Sequence, residues 1–200
     1  MLVVTADQRS SRRSEDLVPH GLALVERAAA GRLALPPERN AGDELQALTG
    51  EADAALEIAL ALLRDGRWSV GIGAGAVELP LPDDVRAARG AAFVRARDAV
   101  ERAKSAPGRV AVTGGDPETA QDAEAILRLL VDVRDRRSDA GWQIADLLAD
   151  GRTQTQAAEA LGITQTAVSL RAKAAGLRVD EGALPVLARA FHRLDRTSGP

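Results

Sequence analysis

TQTQAAEALGITQTAVSLRAKAAGL, residues 153–177, is the stretch from which the architecture of the chain is most directly read. Ala157 and Ala158 are small where a second helix must cross, Leu161 and Ile163 are apolar plugs for a shared core, and Gly162 frees the backbone for a sharp turn. Thr164 has the chemistry of an N-cap, so a second helix is predicted from Gln165 to about Ala175, anchored by Val168. A preceding helix, Trp142 to Ala149, would complete a three-helix core through Trp142, Ile144, Leu147 and Leu148. Two short helices around such a turn form the helix-turn-helix unit that reads the major groove of double-stranded DNA. Gln165, Thr166 and Ser169 would then face the bases, with the capping Thr164 among the DNA-binding residues and Arg171 and Lys173 as general DNA contacts. A helical hairpin with a glycine turn, or a unit that docks another protein, uses the same pattern.

Composition bounds the rest. Two hundred residues leave room for a medium unit and a small one, and 46% hydrophobic with 28% charged residues describes an ordinary folded chain. Phe93, Phe191, Trp68 and Trp142 are the full aromatic set, so burial must come from Ala, Leu, Val and Ile, which favours close helix packing. With no cysteine and only His20 and His192, disulfides, thiolate metal sites and a histidine-rich zinc site are excluded. No run approaches the roughly 18 apolar residues of a membrane span, and a cytoplasmic location without membrane contact is expected. The net charge of -3 is unfavourable for phosphate binding overall. Locally the balance reverses, because Gln165–Arg178 holds Arg171, Lys173 and Arg178 and no acid.

Upstream, apolar and β-branched Leu2 to Ala6 reads as a buried strand closed by Asp7, and helical spacing of Leu17, Leu22, Val25 and Ala29 predicts a helix from about Glu15 to Ala30. A hairpin follows over Arg32 to Thr49, turning at Asn40 to Asp43, with Pro36 and Pro37 marking its first arm as an edge. Glu51 to Arg64 is an amphipathic helix and Trp68 to Ala74 a strand whose second face, Ser69, Gly71 and Gly73, is nearly bare. Either a helix backbone or a ligand fits against that face. A helix from about Ala87 to Lys104 and a strand from Arg109 to Val112 end the unit, which is expected as an α+β sandwich with helices on one sheet face. A long helix from Asp116-Pro117 to about Arg137 serves as connector or dimer helix, and Ala183 to Arg193 reads as a last helix that covers the small domain or a partner chain.

Asp7 at a strand end and Asp43-Glu44 at the hairpin would come together on neighbouring strands. Paired carboxylates there are one way to hold magnesium for nucleotide chemistry, since the ion prefers hard oxygen ligands. A plain hairpin turn and a solvated strand end account for the same residues.

The chain resembles the SatD-like proteins of bacteria, whose opening carries an aspartate followed by Ser-Arg, as in Asp7-Gln8-Arg9-Ser10-Ser11-Arg12. AGDELQAL at residues 41–48 is similar to that family's GDEFQ segment, with Leu45 in place of Phe. VGIGAG at 70–75 and GAAFVRAR at 90–97 are similar to its glycine-rich strand and following helix, and a terminal helix-turn-helix also occurs there. Residues 153–177 are likewise similar to the DNA-reading helices of sigma-factor and repressor families. More remotely, the order resembles class III nucleotide cyclase and GGDEF catalytic folds. That resemblance implies a ferredoxin-like, cyclase-like sheet-and-helix domain, with Asp7 and Asp43 at metal-ligand positions and Arg95 and Arg97 as phosphate contacts. It also places Val94 where the cyclases carry an asparagine, and valine cannot hydrogen-bond a ribose.

The expectation is therefore an α+β domain over residues 1–115, a connecting or dimer helix over 116–138, and an all-α helix-turn-helix domain with a C-terminal helix over 139–200. The function expected is a DNA-binding transcriptional regulator, a homodimer with a non-catalytic cyclase-like domain for dimerisation or nucleotide sensing. The alternative is an enzyme that binds or transfers nucleotides with Mg and uses the helix-turn-helix as an accessory.

Overall fold

The structure, a computed structural model, describes residues 1–11 and 15–197; Arg12 of the opening motif lies outside them. The architecture is α+β. Its elements are β1 (Leu2–Gln8), α1 (Val18–Ala29), β2 (Leu35–Arg39), β3 (Glu44–Thr49), α2 (Ala52–Asp65), β4 (Trp68–Ala74), α3 (Ala91–Ala103), β5 (Val110–Thr113), α4 (Pro117–Asp135), α5 (Asp139–Ala149), α6 (Gln154–Leu161), α7 (Gln165–Ala174) and α8 (Leu177–Thr197). Two compact units result, one of Met1–Arg128 joined by the chain from Leu187 onward, the other Leu129–Val186. No helix among the described residues is long and apolar enough to cross a membrane.

In the first unit the strands form one sheet in the order β2-β3-β1-β4-β5. All neighbours are antiparallel except β4 and β5, which are parallel. Alternation along β4 decides what covers each face. Trp68, Val70, Ile72 and Ala74 point to one side with Leu45 and Ala47, and α1 approaches so closely there that a Cβ on Gly21 would lie 2.5 Å from Leu45 and from the Trp68 ring. On the other side a Cβ on Gly71 would lie 2.1 Å from the Val100 backbone nitrogen, and one on Gly73 2.2 Å from that of Ala96. Helix α3 thus fills the bare glycine face, backbone against backbone, and no ligand has room there. Helices cover both sheet faces, α1 and α2 one and α3 the other, which corrects the expected single helical layer. Each fully buried Leu or Ile in these layers contributes about 1.5–3 kcal/mol of burial.

The outer edge of β5 is closed by side chains. The Val112 N–H donates to Glu124 Oε2 at 2.7 Å, Arg102 Nη2 donates to the Val112 carbonyl at 2.9 Å, and Arg128 Nε donates to the Val110 carbonyl at 3.1 Å. Glu124 also pairs with Arg102 at 3.1 Å and Arg128 at 2.8 Å, so one carboxylate organises the whole seal. An edge strand otherwise presents unpaired backbone groups to any passing chain. At the opposite edge stands β2, as its two prolines predict.

Several boundaries differ from expectation; α1 starts at Val18 and not near Glu15, and α5 at Asp139 and not Trp142. β1 runs on to Gln8, so Asp7 sits within the strand instead of closing it. α3 starts at Ala91, not near Ala87, because its N-cap Gly90 has φ 135, outside the helical region. α8 begins at Leu177, well before Ala183, and continues through Pro185. Proline there removes the N–H that the Glu181 carbonyl would accept from, and both residues are exposed, so water can take its place. From Leu187 the helix belongs to the first unit, where Leu187, Ala190, Phe191 and Leu194 are buried and Asp195 accepts from the Met1 ammonium at 2.8 Å.

Candidate functional site

The second unit is built from three short helices, each started by a side chain. Ser138 Oγ accepts from the Gly141 N–H at 3.2 Å to begin α5. Thr153 and Gln156 cap α6 reciprocally, Thr153 Oγ1 accepting at 3.2 Å and Gln156 Oε1 accepting from the Thr153 N–H at 2.9 Å. Gly162 ends α6 with φ 64, and Thr164 Oγ1 accepts from the Ala167 N–H at 3.1 Å to begin α7. Ile144, Ala157, Ala158, Val168, Ala175 and Leu177 are the shared core, with Leu147, Leu148, Leu161 and Ile163 packed around it. Trp142 does not join that core. It is half-buried beneath Arg137, whose guanidinium carbon lies 4.7 Å from the ring centre.

This packing settles which face of α7 is free. Val168 and Ala175 point inward, with Arg171 and Ala172 half-buried beside them, while Thr164, Gln165, Thr166, Ser169, Leu170 and Lys173 are exposed. Arg171 and Lys173 lie in the last turn, where cations also complement the helix dipole, and neither enters an ion pair among the described residues. The face is polar, donor-rich and free of acids from Gln165 to Arg178.

A second candidate lies at one end of the sheet in the first unit. Asp7 pairs in register with Glu44 of β3 and with Ser69 of β4, and the Gln8 N–H donates to the Asp43 carbonyl at 3.0 Å. Topology thereby brings Asp7, Asp43 and Glu44 together. A cleft of about 650 Å³ opens there, lined by Asp7, Gln8, Arg9, Ser10, Ser11, Asp43, Ser69 and Lys104. Burial pushes the Asp7 carboxyl above its ordinary range; the hydrogen bond and charge of Lys104 pull it down, and the charges of Asp43 and Glu44 push it further up. Lys104 Nζ lies 3.1 Å from Asp7 Oδ2 and 2.8 Å from Glu101 Oε1.

The remaining predicted residues divide. Glu44 accepts from Asn40 Nδ2 and lies 3.8 Å from Arg97 Nη2, so Arg97 stands near the acids although its side chain is 67% exposed. Arg95 does not, because its Nη1 donates at 2.7 Å to the carbonyl of Ala74, at the other end of β4 from Ser69. Val94 is exposed on α3. Lys104 was the unforeseen member. It is one of two lysines in the chain and follows Arg97 by seven residues, the interval that returns to the same helix face. As for magnesium, no three acidic or histidine side chains stand together as a metal site among the described residues, and Lys104 already supplies the positive charge beside Asp7.

No protein-family model, curated protein or solved structure matches the chain. The functional reading stands on the geometry of these two places.

Proposed function

We propose that the chain is a cytoplasmic, DNA-binding transcriptional regulator that reads double-stranded DNA through α7 of a helix-turn-helix unit and acts as a homodimer. One observation carries the reading: Gln165, Thr166 and Ser169 all stand exposed on a helix capped by Thr164, in a stretch with three cations and no acid. Hydroxyls and amides are what base edges bind, and neighbouring cations are what phosphates bind. Three cations per chain give modest affinity, so two copies on two half-sites would sum their binding. The first unit supports the same reading in part. β1, α1, β2, β3, α2 and β4, with β2-β3-β1-β4 as strand order, follow the split βαβ pattern of a ferredoxin-like unit, in keeping with a SatD-like chain. In this reading the unit dimerises or senses a nucleotide and does not catalyse.

The test is retention of genomic and random duplex fragments in a gel at low salt. Retention that declines steeply with salt is expected; a protein that retains no duplex at all has another function.

The sheet-end cleft favours a second reading, binding of a nucleotide with or without turnover, because Asp7 and Asp43 meet Lys104 in a space large enough for one. Calorimetry with ATP and GTP, with and without magnesium, on the native chain and Asp43→Asn separates a sensor from an enzyme: heat without product marks a sensor, and product marks an enzyme.

A further inference from the structure

Leu170 is an apolar side chain on a face otherwise made of hydroxyls, amides and a cation. It is 63% exposed, although the core of its unit lies on the opposite side of the same helix. Thr166 and Leu170 are four residues apart, about 40° around the axis at 3.6 residues per turn, and Ser169 and Lys173 fall on the same strip. A surface broad enough to cover Thr166 and the residues on either side of it therefore reaches Leu170. The strip offers a hydroxyl, a second hydroxyl, an isobutyl group and an ammonium, in a stretch with no acid between Gln165 and Arg178. That order suits an anionic partner that shows polar groups and, among them, one small apolar group. The major groove of DNA is such a surface, since thymine places a 5-methyl group beside hydrogen-bonding base edges.

We infer that Leu170 reads the 5-methyl group of a thymine, and so sets an A·T pair at one position of each site the protein prefers. The inference rests on the DNA reading above and adds a residue and a base to it. Leu170 is 63% exposed and is not one of the buried residues of its unit's core, so its replacement by alanine should leave the helix and that core intact. Cytosine carries hydrogen where thymine carries the methyl group, so Leu170 would gain no apolar contact at a G·C pair.

The test uses the full chain. Duplexes bound from a random pool give a preferred site, and each thymine of that site is then replaced in turn by deoxyuridine, which removes the methyl group and nothing else. One position should weaken the native protein about fourfold, the worth of a buried methyl group, while Leu170→Ala binds the thymine and uracil duplexes alike. If duplexes are bound but no uracil weakens the native protein, or if Leu170→Ala keeps the full sensitivity, the inference is wrong and the DNA reading survives. If no duplex is bound at low salt, both fall.

Discussion

The guanidinium of Arg137, with 1% of its side chain exposed, ends on the carboxylate of Asp180. Arg134 reaches the same carboxylate at 2.9 Å, and Arg137 Nε donates to the Ala175 carbonyl at 2.7 Å. The C-terminal turn of α4 is thereby fixed to the end of α7 and the start of α8 within the second unit.

Asp180→Ala should destabilise that unit by about 3 kcal/mol, because two arginines, one of them buried, lose their shared anion. Amide exchange in α5, α6 and α7 reports it locally. Unchanged protection in those helices would show that the ion pairs contribute nothing.

Gly73→Ala places a methyl group where the Ala96 nitrogen and the Ala92 carbonyl oxygen leave 2.2 and 2.3 Å. Backbone atoms cannot rotate aside as a side chain can, so α3 must shift, at a cost of about 3 kcal/mol or more. Gly182→Ala, with open space around it, is the matched control. Thermal melts should separate the two by many degrees.

What the sequence disclosed follows from how local each cause is. α7 was legible to within a residue because Thr164, Gly162 and Val168 act through neighbours in the chain. β4 was legible because strict alternation has one structural solution. The layering was not, because the missing Cβ atoms of Gly71 and Gly73 permit a close partner without naming it, and α3 comes from about twenty residues downstream. Lys104 beside Asp7 and Arg137 on Asp180 are likewise pairings across distant chain segments. The early start of α8 was not legible either, since the helix runs through Pro185, a residue that argues for a boundary and is tolerated here because the carbonyl it leaves unpaired faces solvent.

Glu124→Ala should unseal β5. The Val112 N–H loses its acceptor, and Arg102 and Arg128 lose the charge that holds them against the strand. A loss of about 1–3 kcal/mol is expected, with concentration-dependent association through the opened edge. Light scattering over a dilution series checks it, and Glu124→Gln, which keeps an acceptor, should associate less.

Asp7 lends the first unit a pH dependence of unusual sign. Its carboxyl ionises at a higher pH in the folded chain than in the unfolded one, chiefly through burial. Between those two values the folded state holds the proton more firmly, so this group's stabilising effect is full below the unfolded pKa near 3.8 and is lost as pH rises through the folded value. At neutral pH Asp7→Asn should therefore raise the melting temperature of the unit, and the gain should shrink as the solution is acidified toward 3.8. A gain that stays constant across that range would exclude ionisation of Asp7 as its source.

For α7 the separate roles of its residues give separate readouts. Lys173→Ala removes an exposed cation that has no ion-pair partner among the described residues, so it should weaken binding equally on all duplexes and lower the slope against log salt by about 1. Gln165→Ala removes a donor and acceptor at the first position of the helix, and should cost about 1–3 kcal/mol on the preferred site with little change on random DNA. Arg171→Ala should fall between these, because half-burial limits its reach to phosphate and ties part of its effect to the packing of α7. Binding isotherms at three salt concentrations, on preferred and random duplexes, distinguish the three. If Gln165→Ala and Lys173→Ala gave the same uniform loss, α7 would be held against the backbone alone and base choice would lie elsewhere.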